Sequence, residues 1–156
     1  MKIILRCLLL ALLMVCLPPT IPARTADTDT IDWTSFADAK GRNTEDRKYL
    51  IYFFSEQCTF CEMLERTTFT DQAVVDYINT NYTPVKVDIG KERNLAARFR
   101  VGGVPDLRFL THQGKGISRW IGYIEGKRLL PLLQYIHTDS YESISYRDFI
   151  KKQEGR

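Results

Sequence analysis

The sequence predicts an α/β domain: a mixed central sheet flanked by helices, with a helix ahead of it and a helical tail behind. Two observations carry this. A strand-like run at residues 48–54, two helical stretches and a second strand at 83–89 form a βαβ unit, whose strands are expected to be parallel. A further helix is followed by two strands across a tight turn at 112–116 and a last helix at 126–136. That ββα ending adds an antiparallel pair.

Lys2 and Arg6 begin a short basic stretch, Cys7 to Leu17 is an unbroken apolar run, and Pro18-Pro19 breaks it before the small-residue stretch Ala23-Arg24-Thr25-Ala26. That order predicts a secretory signal peptide over residues 1–26, cleaved near 23–26. The apolar run is short beside the roughly 20 residues of a membrane span; retention as an uncleaved membrane anchor is the alternative. Three of the 22 basic residues, Lys2, Arg6 and Arg24, lie in this leader, so 19 remain against 19 acidic ones. A neutral chain gives no reason to expect nucleic acid or an anionic membrane surface as partner. Two of the 4 cysteines, Cys7 and Cys16, also lie there, leaving Cys58 and Cys61. About 130 residues remain, enough for one domain with a core.

Trp33, Phe36 and Ala37 have helical spacing, which predicts a short amphipathic helix over 32–40, ended by Gly41 to Thr44. Residues 48–54 are almost continuously apolar, as in a strand buried on both faces. A helix runs from Cys58 to about Thr67. The next starts at Thr70-Asp71 and turns Val74, Val75 and Ile78 inward. Residues 83–89 alternate like a strand. The helix at 92–100 presents Leu95, Ala96 and Phe99, and Gly102-Gly103 breaks it. Val104-Pro105 introduces the strand 106–111, and 117–121 returns. Leu129, Leu132, Leu133 and Ile136 stripe the helix at 126–136. The domain is expected to span 27–137. The tail at 138–156 carries Ile144, Tyr146, Phe149 and Ile150, an apolar set for one more helix packed on the domain.

Cys58-Thr59-Phe60-Cys61 sits between the first strand and a helix. A Cys-x-x-Cys pair at such a junction has the arrangement of a dithiol redox centre. The free N–H groups and positive dipole end of the helix favour a thiolate on the first cysteine, and the thiolate is the attacking species. Zinc needs about four ligands, and the mature chain adds only His112, in a turn, and His137, at a helix end; both read as surface residues. A structural disulfide across three residues closes too small a loop to stabilise much.

Together these features resemble the thioredoxin superfamily. The matching residues are the strand before Gln57-Cys58-Thr59-Phe60-Cys61, Val104-Pro105 opening a later strand, and Gly122 after the last; the likeness covers residues 33–136. Phe54-Ser55-Glu56-Gln57-Cys58 and Thr67-Thr68-Phe69-Thr70-Asp71 look like exported bacterial thioredoxins of the SoxW type and the C-terminal domain of the reductase DsbD. Gly122-Tyr123, residues 132–136, Tyr141 and residues 146–149 favour the SoxW-type group. The resemblance implies a thioredoxin fold, Cys58 as exposed nucleophile and Cys61 as buried resolving cysteine. It implies a cis Val104–Pro105 bond beside the dithiol that presents backbone groups to substrate; Phe60, an apolar residue between the cysteines, is expected to be exposed and to contact substrate. It implies no cofactor beyond the redox-active disulfide and a monomeric, periplasmic protein. The expected partners are a disulfide-containing protein substrate and a membrane thiol-transfer electron donor of the DsbD kind.

The chain departs from the family pattern in ways that bear on proton handling. Tyr52 stands where an aspartate is usual, six residues before the first cysteine, and Lys86, that aspartate's usual neighbour, needs another partner or a water path. Asp106 follows the proline where threonine is common, and reads either as a modulator of the site or as a solvated charge. Thr59 and Phe60 are uncharged, and Glu56, Glu62 and Asp106 lie near the pair; carboxylates disfavour a thiolate and push the centre towards the reducing end. The expected activity is therefore disulfide reduction, with an oxidase or isomerase, or a non-catalytic binding or chaperone module, as alternatives.

Overall fold

The computed structural model describes residues 30–42 and 47–155, so the expected leader lies outside them. The elements are α1 (Phe36–Arg42), β1 (Lys48–Phe54), α2 (Thr59–Thr67), α3 (Gln72–Asn81), β2 (Tyr82–Asp88), α4 (Arg93–Arg98), β3 (Asp106–Leu110), β4 (Gly116–Ile121), α5 (Gly126–His137), a 3-10 turn (Ser140–Glu142) and α6 (Tyr146–Glu154). The sheet order is β2-β1-β3-β4. β1 and β2 are parallel from Lys48↔Tyr82 to Phe54↔Asp88, β3 runs antiparallel to β1, and β4 antiparallel to β3.

Strand alternation divides the core into two layers. Leu50, Tyr52, Leu107 and Phe109 face α2, α3 and α5 and meet Leu64, Val74, Ile78, Leu129, Leu133 and Ile136. Ile51, Phe53, Val85 and Val87 face the other way, towards α1 and α4, with Ala39, Phe36, Leu95 and Phe99. β1 is thus covered on both faces, which is why its residues are apolar without alternation. Asp71 caps α3 by accepting the N–H groups of Ala73 and Val74.

Four details differ from the sequence expectation. α1 begins at Phe36, because residues up to Thr34 run extended along the edge of β2: Thr34 N–H donates to Pro84 O at 3.0 Å and Lys86 N–H to Thr34 O at 3.1 Å. Trp33 and Phe36 mimic a helical stripe but serve opposite layers, Trp33 against Tyr52 and Phe69, Phe36 against Phe99. α4 is shorter than expected: Arg100 takes a left-handed conformation at φ 51° while Val101 N–H returns to Ala96 O, closing the helix at its C-terminus. In the tail, Ser145 caps α6, so Ile144 lies outside the helix and is exposed. His137 is half-buried, with Nδ1 2.9 Å from Tyr77 Oη, so it is more than a surface residue.

Candidate active site

β1 ends at Phe54, and the turn that follows brings Cys58 N–H to Ser55 O at 3.1 Å. Cys58 is the N-cap of α2: its backbone is extended, and its carbonyl accepts from the N–H groups of Cys61 and Glu62, both at 3.0 Å. Cys61 N–H also reaches Cys58 Sγ at 3.1 Å. This N–H and the positive end of the helix dipole lie where they would stabilise a negative charge on Cys58 Sγ. Cys58 and Cys61 are joined as a disulfide with Cα atoms 5.1 Å apart. Cys58 is half-exposed, Cys61 is only 2% exposed, and Phe60 between them is 58% exposed.

The peptide bond between Val104 and Pro105 is cis. Val104 O lies 3.6 Å from Cys58 Sγ, and Gly122 N–H donates to Pro105 O at 2.8 Å, so the segment sits between the dithiol and the end of β4. β3 runs antiparallel to β1, which brings the start of β3 beside the end of β1.

Beneath the pair, Tyr52 is fully buried and donates its hydroxyl to Glu65 Oε1 at 3.1 Å. Lys86 Nζ pairs with the same oxygen at 2.9 Å and lies 4.5 Å from the centre of the Phe54 ring. Burial first, then the Glu65 charge and hydrogen bond, push the Tyr52 phenol well above its usual range, so it stays protonated. Lys86 therefore finds its replacement partner in Glu65. Sequence reading passed Glu65 over, although its place four residues after Cys61 on α2 puts the two on one helix face.

Asp106 corrects the expectation of a solvated charge. It is completely buried and held by two guanidiniums: Arg108 Nε at 2.9 Å and Arg119 Nη2 at 2.7 Å. Its charge is more than matched, so it does not act on the dithiol as a bare carboxylate. Glu56 pairs with Lys91 at 2.6 Å and Glu62 with Arg66 at 3.2 Å, both in solvent, where screening weakens their influence further. Neither arginine was anticipated. Their signal was the strand pattern itself: Asp106 and Arg108 share a face at spacing two, and the hairpin turn sets Arg119 opposite Arg108. Among the described residues, no group of three or more His, Cys, Asp or Glu is placed to hold a metal ion.

Comparison with known proteins adds a lineage. The family described as "Thioredoxin-like domain" matches residues 36–137. Disulfide bond reductase DsbH of Chlamydia pneumoniae is 28% identical over 103 residues, covering 57% of this chain and 61% of its own length. Thiol:disulfide interchange protein DsbD of Actinobacillus pleuropneumoniae is 27% identical over 99 residues, 60% of this chain but 17% of that protein. The chain therefore spans less than two thirds of each of these relatives. Among solved structures, a thioredoxin from Thermus thermophilus aligns with a TM-score of 0.63 at 22% identity, covering 69% of this chain and 87% of that one. The DsbD C-terminal domain of Neisseria meningitidis, in its oxidised form, aligns with 0.57 at 13% identity, covering 64% and 90%. These two share the fold.

Proposed function

The chain belongs to the thioredoxin-like domain family, and we propose that it is an exported thiol–disulfide oxidoreductase that reduces disulfides of protein or small-molecule substrates. The observation that carries this reading is the asymmetry of the pair. Cys58 is partly exposed at a helix N-terminus, while Cys61 is buried behind it.

In the reduced protein the Cys58 thiolate attacks one sulfur of a substrate disulfide. The other substrate sulfur leaves as a thiolate and takes a proton from water. Cys61 then gives up its proton and attacks Cys58 Sγ. The Cys58–Cys61 disulfide forms and the second substrate thiol is released, two electrons having passed to the substrate. Tyr52 is a poor proton acceptor, because its buried phenol stays protonated. We assign that role to Glu65, one helical turn beyond Cys61 and electrostatically supported by Lys86. Phe60, exposed between the cysteines, offers apolar contact to the substrate.

The oxidised form must be re-reduced by a donor dithiol, for which a membrane thiol-transfer protein of the DsbD kind is the proposed source. The name of the DsbH relative and the uncharged Thr59-Phe60 support the reducing direction; with Asp106 neutralised by its arginines, that carboxylate no longer does. Export to the periplasm rests on the basic and apolar pattern of residues 1–26. Among the described residues, no helix is long and apolar enough to cross a membrane.

Reduction of insulin by the purified chain with dithiothreitol as donor tests the activity, with Cys58→Ser as control; activity that survives the substitution refutes the dithiol mechanism. Equilibration with glutathione tests the direction. A potential near thioredoxin's, about −270 mV, agrees with a reductase, whereas one near about −120 mV makes the protein an oxidant.

A further inference from the structure

Asp106 takes no part in the sulfur chemistry above, yet it is the residue next to Pro105. Burying a carboxylate costs several kcal/mol unless charge and hydrogen bonds answer it. Here two forked guanidiniums do so. Arg108 donates through Nε to Oδ1 at 2.9 Å and through Nη2 to Oδ2 at 3.1 Å. Arg119 donates through Nη2 to Oδ2 at 2.7 Å and through Nε to Oδ1 at 3.1 Å and to Oδ2 at 3.2 Å.

Arg108 does one thing more: its Nη2 also donates to Phe99 O at 2.9 Å. Phe99 ends α4 and is itself fixed, its ring packed on Phe36 and Phe53. One guanidinium therefore holds both ends of the segment 100–105, which crosses the dithiol and brings Val104 O to Cys58 Sγ. Within it Val101 and Val104 pack against the core, and Gly102-Gly103 join these two anchors. Gly102 and Gly103 lie where an added Cβ would meet nothing within 4 Å, so close packing does not dictate glycine there. Two consecutive glycines leave the backbone free to take other conformations.

We propose that Arg108, with Asp106 and Arg119, is a clamp that positions the Val104–Pro105 segment against Cys58 for polypeptide substrates. Arg108 is a positioning residue in this scheme. It touches neither sulfur, and it acts by fixing the backbone beside which an extended substrate must lie. The proposal rests on the reductase reading and refines its substrate class. A polypeptide disulfide needs the segment in place, whereas a small aromatic disulfide reaches Cys58 without it.

The test compares reduced wild type and Arg108→Lys on insulin and on 5,5′-dithiobis(2-nitrobenzoate). Lysine keeps the charge but lacks the planar fork that serves Asp106 and Phe99 together. With insulin, kcat/KM should fall about tenfold through KM, the order of one lost charge-assisted hydrogen bond, while the rate with the small disulfide stays within about twofold. Arg119→Gln, which spares the bridge from Phe99 to Asp106, should cost insulin reduction less than Arg108→Lys. An unchanged insulin rate in Arg108→Lys, a proportional fall with both substrates, or a larger loss in Arg119→Gln overturns the clamp. Should Arg108→Lys not fold, Asp106→Asn, of equal size, carries the comparison: the ratio of insulin to small-disulfide rates must fall, and an unchanged ratio overturns the proposal. A wild type that reduces neither substrate removes the reductase reading and the clamp with it; an active wild type whose variants keep the wild-type ratio removes the clamp alone.

Discussion

Glu65 receives two hydrogens at one oxygen, from the Tyr52 hydroxyl and the Lys86 ammonium. That leaves its other oxygen available to a water or a thiol. Glu65→Gln removes the acceptor while keeping size and hydrogen-bonding capacity. Release of substrate from a preformed Cys58 mixed disulfide should slow about tenfold at neutral pH. That is less than the 100-fold or more typical of an enclosed acid–base residue, because the side chain is partly exposed and water substitutes. Stopped-flow release of a fluorescent thiol checks it; an unchanged rate sinks the assignment. Tyr52→Phe is a different kind of change. The phenol remains protonated throughout the working range, so the pH profile of release should keep its shape, while urea titration shows a loss of about 1 kcal/mol for the missing hydrogen bond.

Among the elements, α4 carries the clearest local strain. Arg100 occupies the left-handed position where glycine is usual after a helix. Arg100→Gly should stabilise the fold by about 1 kcal/mol, read as a higher denaturant midpoint at unchanged slope. At the opposite junction, a Cβ on Gly126 would stand 2.6 Å from Asp71 Oδ2. The Asp71 side chain caps α3, so moving it puts the cap at risk. Gly126→Ala is therefore expected to cost about 1 kcal/mol despite alanine's better helix propensity. β1, α2, α3, β2, β3, β4 and α5 were all legible in the sequence, because apolar period and turn residues agreed there. The boundary of α1 was not: Trp33 and Phe36 sit three apart yet serve different layers of the core, a distinction periodicity cannot draw. At the site, Cys58 and Cys61 were legible from their strand-to-helix junction, and the segment at Pro105 only through the family resemblance. Glu65, Arg108 and Arg119 become visible only once helix face and hairpin register are applied to them as partners, because a charge on an amphipathic element otherwise reads as solvated.

The whole molecule is tied together at its lower end by charge. Lys48 at the start of β1 donates to His137 O at 3.1 Å and pairs with Asp139 at 2.9 Å, while His137 Nδ1 meets Tyr77. Burial, then Lys48, hold His137 below its usual titration range, with Asp139 opposing them. A histidine whose folded pKa is depressed favours folding in its neutral form. Its contribution is complete above the unfolded value near pH 6.5 and declines as pH falls through that value towards the folded one. Thermal midpoints should thus fall between about pH 7 and 5, and His137→Gln should flatten that slope; an equally steep slope in the variant would assign the pH response to other groups. α6 is attached through Tyr135, whose ring meets Tyr146 and Phe149.

Asn79 fixes where the described chain enters this body. Its side chain binds Thr30 O at 3.0 Å and Asp32 N–H at 2.9 Å, close to Tyr82, where β2 sets out level with Lys48 of β1. The dithiol lies past the other end of those strands, about 20 Å away along seven residues. Whatever is joined ahead of Thr30 leaves from the pole opposite the reactive sulfur. A partner that engaged the chain at Thr30 would therefore leave Cys58 uncovered on the far side.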